Sequence, residues 1–248
     1  MTPPAPSAAE TTCDVTELRV PHTLPIPRYL EAAYWWAYVH PNAIHVFERE
    51  WLVNAILFGN YGRLRDAALA ELAERGISVH GRTLQVACVY GNLTHRLQQR
   101  LAPDASLDVV DVLPIQLKNL GSKLVHDERV ALLHGDSVAL NCADASYDQV
   151  LLFFLLHEQP EAVRRATLSE ALRVVKPGGK VVIVDYHRPL PWHPLRPLMR
   201  LVFRKLEPYA MALWQHEVRE FLPQGVRLAA LTKQTYFGGM YQKLVLTR

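Results

Sequence analysis

The spacing of apolar residues changes near Thr83, and that change divides the chain into a helical front and an alternating back. From Thr83 onward, short runs rich in Val, Leu and Ile occupy residues 84–90, 106–112, 129–133, 148–156 and 180–186. Apolar runs this short and this continuous read as strands buried on both faces. Stretches of helical period separate them, at 93–101, 113–125 and 161–175. Strands and helices in alternation, joined by right-handed crossovers, build one mostly parallel sheet with helices on either side. Residues from about Leu228 to Thr247 add two more strands around Gly238 and Gly239, read as an antiparallel hairpin, which brings the sheet to seven.

Ahead of the sheet, the pattern from Tyr29 to about Leu72 is helical, divided at Pro41 and broken again over Gly59 to Gly62. Residues 1–22 are rich in Pro, Ala, Ser and Thr, a composition poor in buriable surface, and read as a loose tail. Residues 188–223 carry Pro189, Pro191, Pro194, Pro197, Pro208 and Pro223 and interrupt the alternation like an inserted cap. The expected organisation is a tail over 1–22 and one α/β domain over 23–248. Within that domain lie an N-terminal helical cap (about 28–75) and the insertion.

Composition narrows the function classes. Half of the residues are hydrophobic and 21% are charged, the balance of a globular protein with a real core. A net charge of +3 gives no footprint for nucleic acid. Cys13, Cys88 and Cys142 form no CxxC pair, so neither a disulfide framework nor a thiolate zinc site is expected, and a reducing compartment is the simple reading. The N-terminus shows no basic and apolar leader pattern, and no uncharged stretch reaches the ~20 residues of a membrane span.

In a doubly wound sheet, ligands sit beyond the carboxyl ends of the strands where strand order reverses. Here the first strand ends at Tyr90-Gly91-Asn92. Asp111 closes the second, where an acid can reach a ribose diol, and Asp136 follows the third, placed to accept from an adenine amino group. Lys176-Pro177-Gly178-Gly179 turns a long helix into the next strand. The ordered set points to a nucleoside-type ligand.

This series resembles the class I S-adenosylmethionine-dependent methyltransferases, from about residue 80 to the end, and implies their Rossmann-like α/β fold. Their first loop usually reads acidic-x-Gly-x-Gly-x-Gly, whereas this chain has Gln85, Ala87, Val89 and Gly91 at those four positions. Val89 accepts neither positive φ nor close backbone approach, so the loop is expected to follow a different path.

Within that superfamily the altered loop, Tyr34-Trp35-Trp36-Ala37-Tyr38, the Phe47–Tyr61 stretch, His157-Glu158-Gln159-Pro160 and the Pro-rich insertion look like one smaller group. It is the rhodoquinone-biosynthesis family of methyltransferase-like proteins, RquA. The resemblance implies conversion of ubiquinone to rhodoquinone by exchange of a ring methoxy for an amino group. It also implies S-adenosylmethionine as amino donor, with Mn2+. Two alternatives stay open: a conventional methyltransferase acting on a quinone or another apolar ring, and a non-catalytic cofactor-binding subunit.

Candidate cofactor contacts are Val89, Tyr90, Gly91, Asp111, Val112, Asp136, Ser137, Phe154 and Tyr61. His157 and Glu158 after the fourth strand, with Asp185 and His187 at the end of the fifth, are candidate ligands for the metal. Imidazole with carboxylate suits a manganese-type ion. His157 and His187 are also the candidate bases. Tyr34, Trp35, Tyr38 and Trp192 are candidates to stack on a quinone ring, although aromatics at 29–39 also suit plain core packing. The run from Pro191 to Lys205 mixes apolar anchors with four basic residues, which suits either an interfacial segment on anionic lipid or a solvated lid. A peripheral site on the cytoplasmic face of a bacterial inner membrane, or on a mitochondrial inner membrane, is the expected location.

Overall fold

A computed structural model describes residues 24–35, 47–74 and 76–248. The tail expected over 1–22 lies outside the described residues, as do Trp36, Tyr38 and the break expected at Pro41. Helices α1 (Arg28–Ala33), α2 (Glu50–Ile56) and α3 (Tyr61–Leu72) precede the first strand. The sheet is built from β1 (Arg82–Val86), β2 (Ser106–Asp111), β3 (Val130–His134), β4 (Tyr147–Phe153), β5 (Val175–Tyr186), β6 (Ala230–Tyr236) and β7 (Tyr241–Thr247). Between strands run α4 (Leu93–Gln98), α5 (Pro114–Gly121) and α6 (Glu161–Val174), while α7 (Arg196–Lys205) and α8 (Ala212–Gln215) lie between β5 and β6.

Strand order is β3-β2-β1-β4-β5-β7-β6. β7 runs antiparallel to both β5 and β6, and the other pairings are parallel. The expected seven-stranded, mostly parallel sheet and its closing hairpin are present. Side-chain alternation along the central strands feeds two cores. Leu151, Phe153, Val182 and Val184 pack with Leu64, Leu69 and Leu97 on one face, and Leu152, Val181 and Ile183 pack with Leu168 and Ala171 on the other. Each such buried aliphatic side chain contributes about 1.5–3 kcal/mol relative to exposure. No described helix is long and apolar enough to cross a membrane.

Two strands end sooner than their apolar runs. β1 stops at Val86 instead of Tyr90, and β4 at Phe153 instead of Leu156, because Ala87 (φ 72°) and Phe154 (φ 53°) turn the backbone left-handed. The apolar composition continues past both ends because these loops wall a cavity.

Candidate functional site

Strand order reverses between β1 and β4, and the loops leaving these two strands open a cavity of about 640 Å³ at the carboxyl edge of the sheet. That volume is ordinary for a small-molecule site. Toward β2 and β3 its wall is Tyr29, Asp111, Val112, Leu113, Asp136 and Ser137. On the β4–β5 side, with α2 and α7, the wall turns apolar and aromatic: Phe58, Phe154, Tyr186, Met199, Val202 and Leu206.

The β1–α4 loop is held by its own side chains. Ala87 keeps the left-handed turn that glycine usually supplies, at a cost of about 1–2 kcal/mol. Gln85 is buried; its Nε2 donates to Ala87 O (3.0 Å), and its Oε1 accepts from Thr94 Oγ1 (3.0 Å). A carboxylate there could accept from Thr94 but could not donate to the Ala87 carbonyl. Gln85 therefore staples the loop to α4 and forms no part of the cavity wall. Val89 is not among the positive-φ residues, so the path departs from the glycine-rich pattern at that position.

Gly91 answers to a different constraint than cofactor contact. It has φ 86°, and a Cβ there would meet Tyr61 Oη at 2.5 Å. That oxygen accepts from the backbone N–H groups of Asn92 (2.8 Å) and Leu93 (3.0 Å), which begin α4. Gly91 makes room for Tyr61 and does not line the cavity; Tyr61 does. Glu48 accepts from Gly91 N–H (3.1 Å) and pairs with Lys123, while Phe47 stacks on Tyr90 at 6.0 Å, so the front segment is clamped over this loop. Tyr90 Oη in turn accepts from Gln116 Nε2 (2.9 Å).

Asp111 accepts from the N–H groups of Cys88 (2.7 Å) and Leu113 (2.8 Å), and burial pushes its carboxyl above the usual range. Asp136 Oδ1 accepts from Val138 N–H (3.1 Å), and Ser137 Oγ sits 2.9 Å from Thr167 Oγ1. Each carboxylate offers about four lone-pair sites, so both acids retain acceptor capacity beyond these bonds.

Beyond β4, Asp185 organises the turn that carries His157. Its carboxylate accepts from the backbone N–H groups of Leu156 (2.9 Å), His157 (3.3 Å) and Tyr186 (2.7 Å), and its Oδ1 lies 2.9 Å from His157 Nδ1. The other imidazole nitrogen, Nε2, lies 3.7 Å from Glu158 and 3.8 Å from Glu207. Burial pulls the pKa of His157 down, but Asp185, Glu207 and Glu158 outweigh it and lift the value to about 9. With a value in that range the imidazole carries a proton at neutral pH and acts as a donor there. Burial pushes the Glu207 carboxyl up, and the residue lines the cavity. Sequence reasoning missed it. The available signal was that Glu207 is the first acid after Asp185, closing a run of basic and apolar residues.

His187 does not join this group. β5 ends at Tyr186, so the alternation expected to keep Asp185 and His187 on one side stops there. His187 instead contacts Gly239 O (2.8 Å), Lys233 Nζ (2.8 Å) and Glu217 (3.6 Å) on the wall of a second cavity. The ligand set expected for manganese, His157, Glu158, Asp185 and His187, is therefore not assembled. Among the described residues, no group of three or more His, Cys, Asp or Glu side chains is arranged to hold a metal ion.

The expected stacking aromatics also lie elsewhere. Tyr34 is buried with its ring 6.5 Å from Tyr209, Trp35 and Trp192 are exposed, and none of the three lines the cavity. Its aromatic wall centres on Phe154, with Phe153, Tyr186, His157 and Tyr241 set edge-on around it at 5.2–5.9 Å.

Residues 83–179 match the methyltransferase domain family model. Demethylmenaquinone methyltransferase of Staphylococcus aureus (strain JH9) is 30% identical over 138 residues, covering 56% of this chain and 55% of the relative. The chain thus spans about half the length of the curated relatives it matches. Human N-acetylserotonin methyltransferase, solved with S-adenosylmethionine, superposes with a TM-score of 0.57 at 15% identity, covering 89% of this chain and 62% of that one. The N-methyltransferase NodS from Bradyrhizobium japonicum WM9, in complex with S-adenosyl-L-homocysteine, gives 0.52 at 16% identity, covering 74% and 85%. The fold is accordingly the Rossmann-like one of the class I methyltransferases.

Proposed function

We propose that this protein uses S-adenosylmethionine to modify an apolar, quinone-type ring, with methyl transfer as the first reading. The observation that carries it is one continuous cavity whose acidic end suits a nucleoside and whose other end is an aromatic chamber. Asp111 and Asp136 would accept from ribose hydroxyls and the adenine amino group, with Val112 and Leu113 flanking the base. The residues from Ala87 to Tyr90 would face the sulfonium end. The similarity to demethylmenaquinone methyltransferases supports a quinone as acceptor.

The cofactor, when bound, supplies an electrophilic methyl on a sulfonium that leaves as a neutral thioether. The chain must then orient the acceptor and take the proton that the acceptor loses. Glu207, beside the His157 imidazole and on the cavity wall, is placed to take it. A charged imidazole 3.8 Å away lowers the cost of leaving the buried carboxylate ionised.

A second reading, S-adenosylmethionine as nitrogen donor converting ubiquinone to rhodoquinone with Mn2+, is favoured by the first loop. There the usual acid is a buried Gln85 with no face on the cavity, so the amino-acid end of the cofactor would be held differently. Both readings meet in one assay. Purified protein is supplied with S-adenosylmethionine labelled at the methyl carbon and the α-amino nitrogen, then with ubiquinone or a demethylated quinol, with and without Mn2+. Methyl label in the quinone product is the expected outcome. Nitrogen label in an aminoquinone would replace the first reading with the second, and cofactor binding with no product would leave a non-catalytic subunit.

A further inference from the structure

We propose that the mouth of the cavity is a docking surface for an anionic lipid bilayer, built by the outer faces of α2 and α7. Both helices contribute inner residues to the cavity wall, Leu52, Val53 and Ile56 from α2 and Met199 and Val202 from α7, with Leu206 just beyond. Ile56 and Leu206 are also 45% and 46% exposed, so they stand at its rim. The same two helices expose further apolar side chains, Trp51 (64% exposed) on α2 and Leu198 (45%) and Leu201 (54%) on α7, and Trp192 (75%) is exposed in the segment leading into α7. α2 buries no residue at all, an unusual state for a helix carrying Trp, Leu, Val and Ile. An apolar patch of this kind at a pocket mouth marks a site of interaction.

Charge selects the partner. Along α7, Met199 and Phe203 are buried on the inner face, while Leu198 and Leu201, three residues apart, share a separate solvent-facing side with Lys205 between them. Arg196, Arg200 and Arg204 recur every four residues and form a basic stripe beside that face. From Arg188 to Leu206 the chain carries five Arg or Lys residues and no acid. The adjoining second cavity, about 520 Å³, adds Arg188, Arg196 and Lys233 to its wall against one acid, Glu217. An amphipathic helix with an open apolar face and a cationic flank is the pattern of a segment lying in a bilayer interface. Lys and Arg beside that face favour anionic headgroups. Seated there, the cavity would open toward the acyl layer, and a quinone could enter with its tail between α2 and α7. That last step rests on the function proposed above; the docking itself does not.

The test is flotation of the purified full chain with phosphatidylcholine vesicles, with and without phosphatidylglycerol. Wild type is expected to float with the anionic vesicles and to bind neutral ones far less. Arg200→Glu with Arg204→Glu should weaken anionic binding by about thirtyfold or more. Leu198→Ser with Leu201→Ser should weaken it even where charge is unchanged. None of these four residues lines the cavity, so calorimetry with S-adenosylmethionine serves as a separate control. Equal cofactor affinity in wild type and variants, with reduced flotation, supports the docking. No cofactor binding with intact flotation would defeat the proposed function and leave the docking standing. Wild type that ignores anionic vesicles overturns the proposal, as does sedimentation as a dimer that Leu198→Ser with Leu201→Ser converts to monomer without any effect on flotation.

Discussion

Burial strips the proton from most imidazoles, and His157 keeps its own because Asp185, Glu207 and Glu158 surround it. The consequence for stability has a definite sign. Its folded pKa of about 9 lies above the unfolded value of 6.5, so the stabilisation is complete below about pH 6.5 and is lost as pH rises through 9. A shift of this size corresponds to something on the order of 3 kcal/mol. Thermal melts of wild type from about pH 6.5 to 9.5 should therefore fall more steeply than those of His157→Gln, which lacks the titrating proton. Parallel slopes for the two proteins would show that His157 is neutral in the folded state and free to act as a base. Sequence placed His157 and Glu158 at this edge because they follow a strand. What it could not place was Glu207, which reaches the imidazole from 50 positions away, beyond β5 and α7.

At the scale of elements, the β1–α4 loop shows what apolar patterning reveals and what it hides. The strands were legible because continuous Val and Leu runs fit only a two-sided sheet, and β1 and β4 register with their neighbours where those runs lie. Their ends were not legible, since the same apolar character carries on into loops that wall a cavity. The altered glycine pattern signalled an unusual loop, yet the partner that makes Gly91 necessary is Tyr61, contributed by α3 from 30 positions upstream. Tyr61 Oη caps α4 by accepting two backbone N–H groups where no side chain of the helix itself does so. Tyr61→Phe keeps the ring and its cavity face but leaves those donors without an acceptor. A loss of about 2 kcal/mol is expected, or about 4–8 °C in melting temperature for a chain of this length. Calorimetry would measure it, and an unchanged midpoint would mean that water caps α4 as well as the phenol does.

For the molecule as a whole, the cavity is walled by three parts of the chain: the front helices, the strand-end loops and the segment between β5 and β6. A ligand seated there bridges all three and binds only the folded state. Its stabilisation then follows mass action, about 2.7 kcal/mol when the free ligand is a hundredfold above its dissociation constant. At this chain length that converts to a rise of roughly 5–11 °C in melting temperature. S-adenosylmethionine should produce such a rise in a single transition, because separating the parts would cost the bound state its contacts on every wall. Asp136→Ala should leave the unliganded midpoint nearly unchanged, since its carboxylate holds only one turn N–H, while cutting the ligand-induced rise by more than half. If wild type shows no rise at millimolar cofactor, roughly the top of the usual range for substrates, the acidic end of the cavity is not a nucleoside site. If the rise survives in Asp136→Ala undiminished, the nucleoside is gripped by Asp111 and the β1–α4 loop alone, and the assignment of the β3 end to adenine falls while the rest of the site stands.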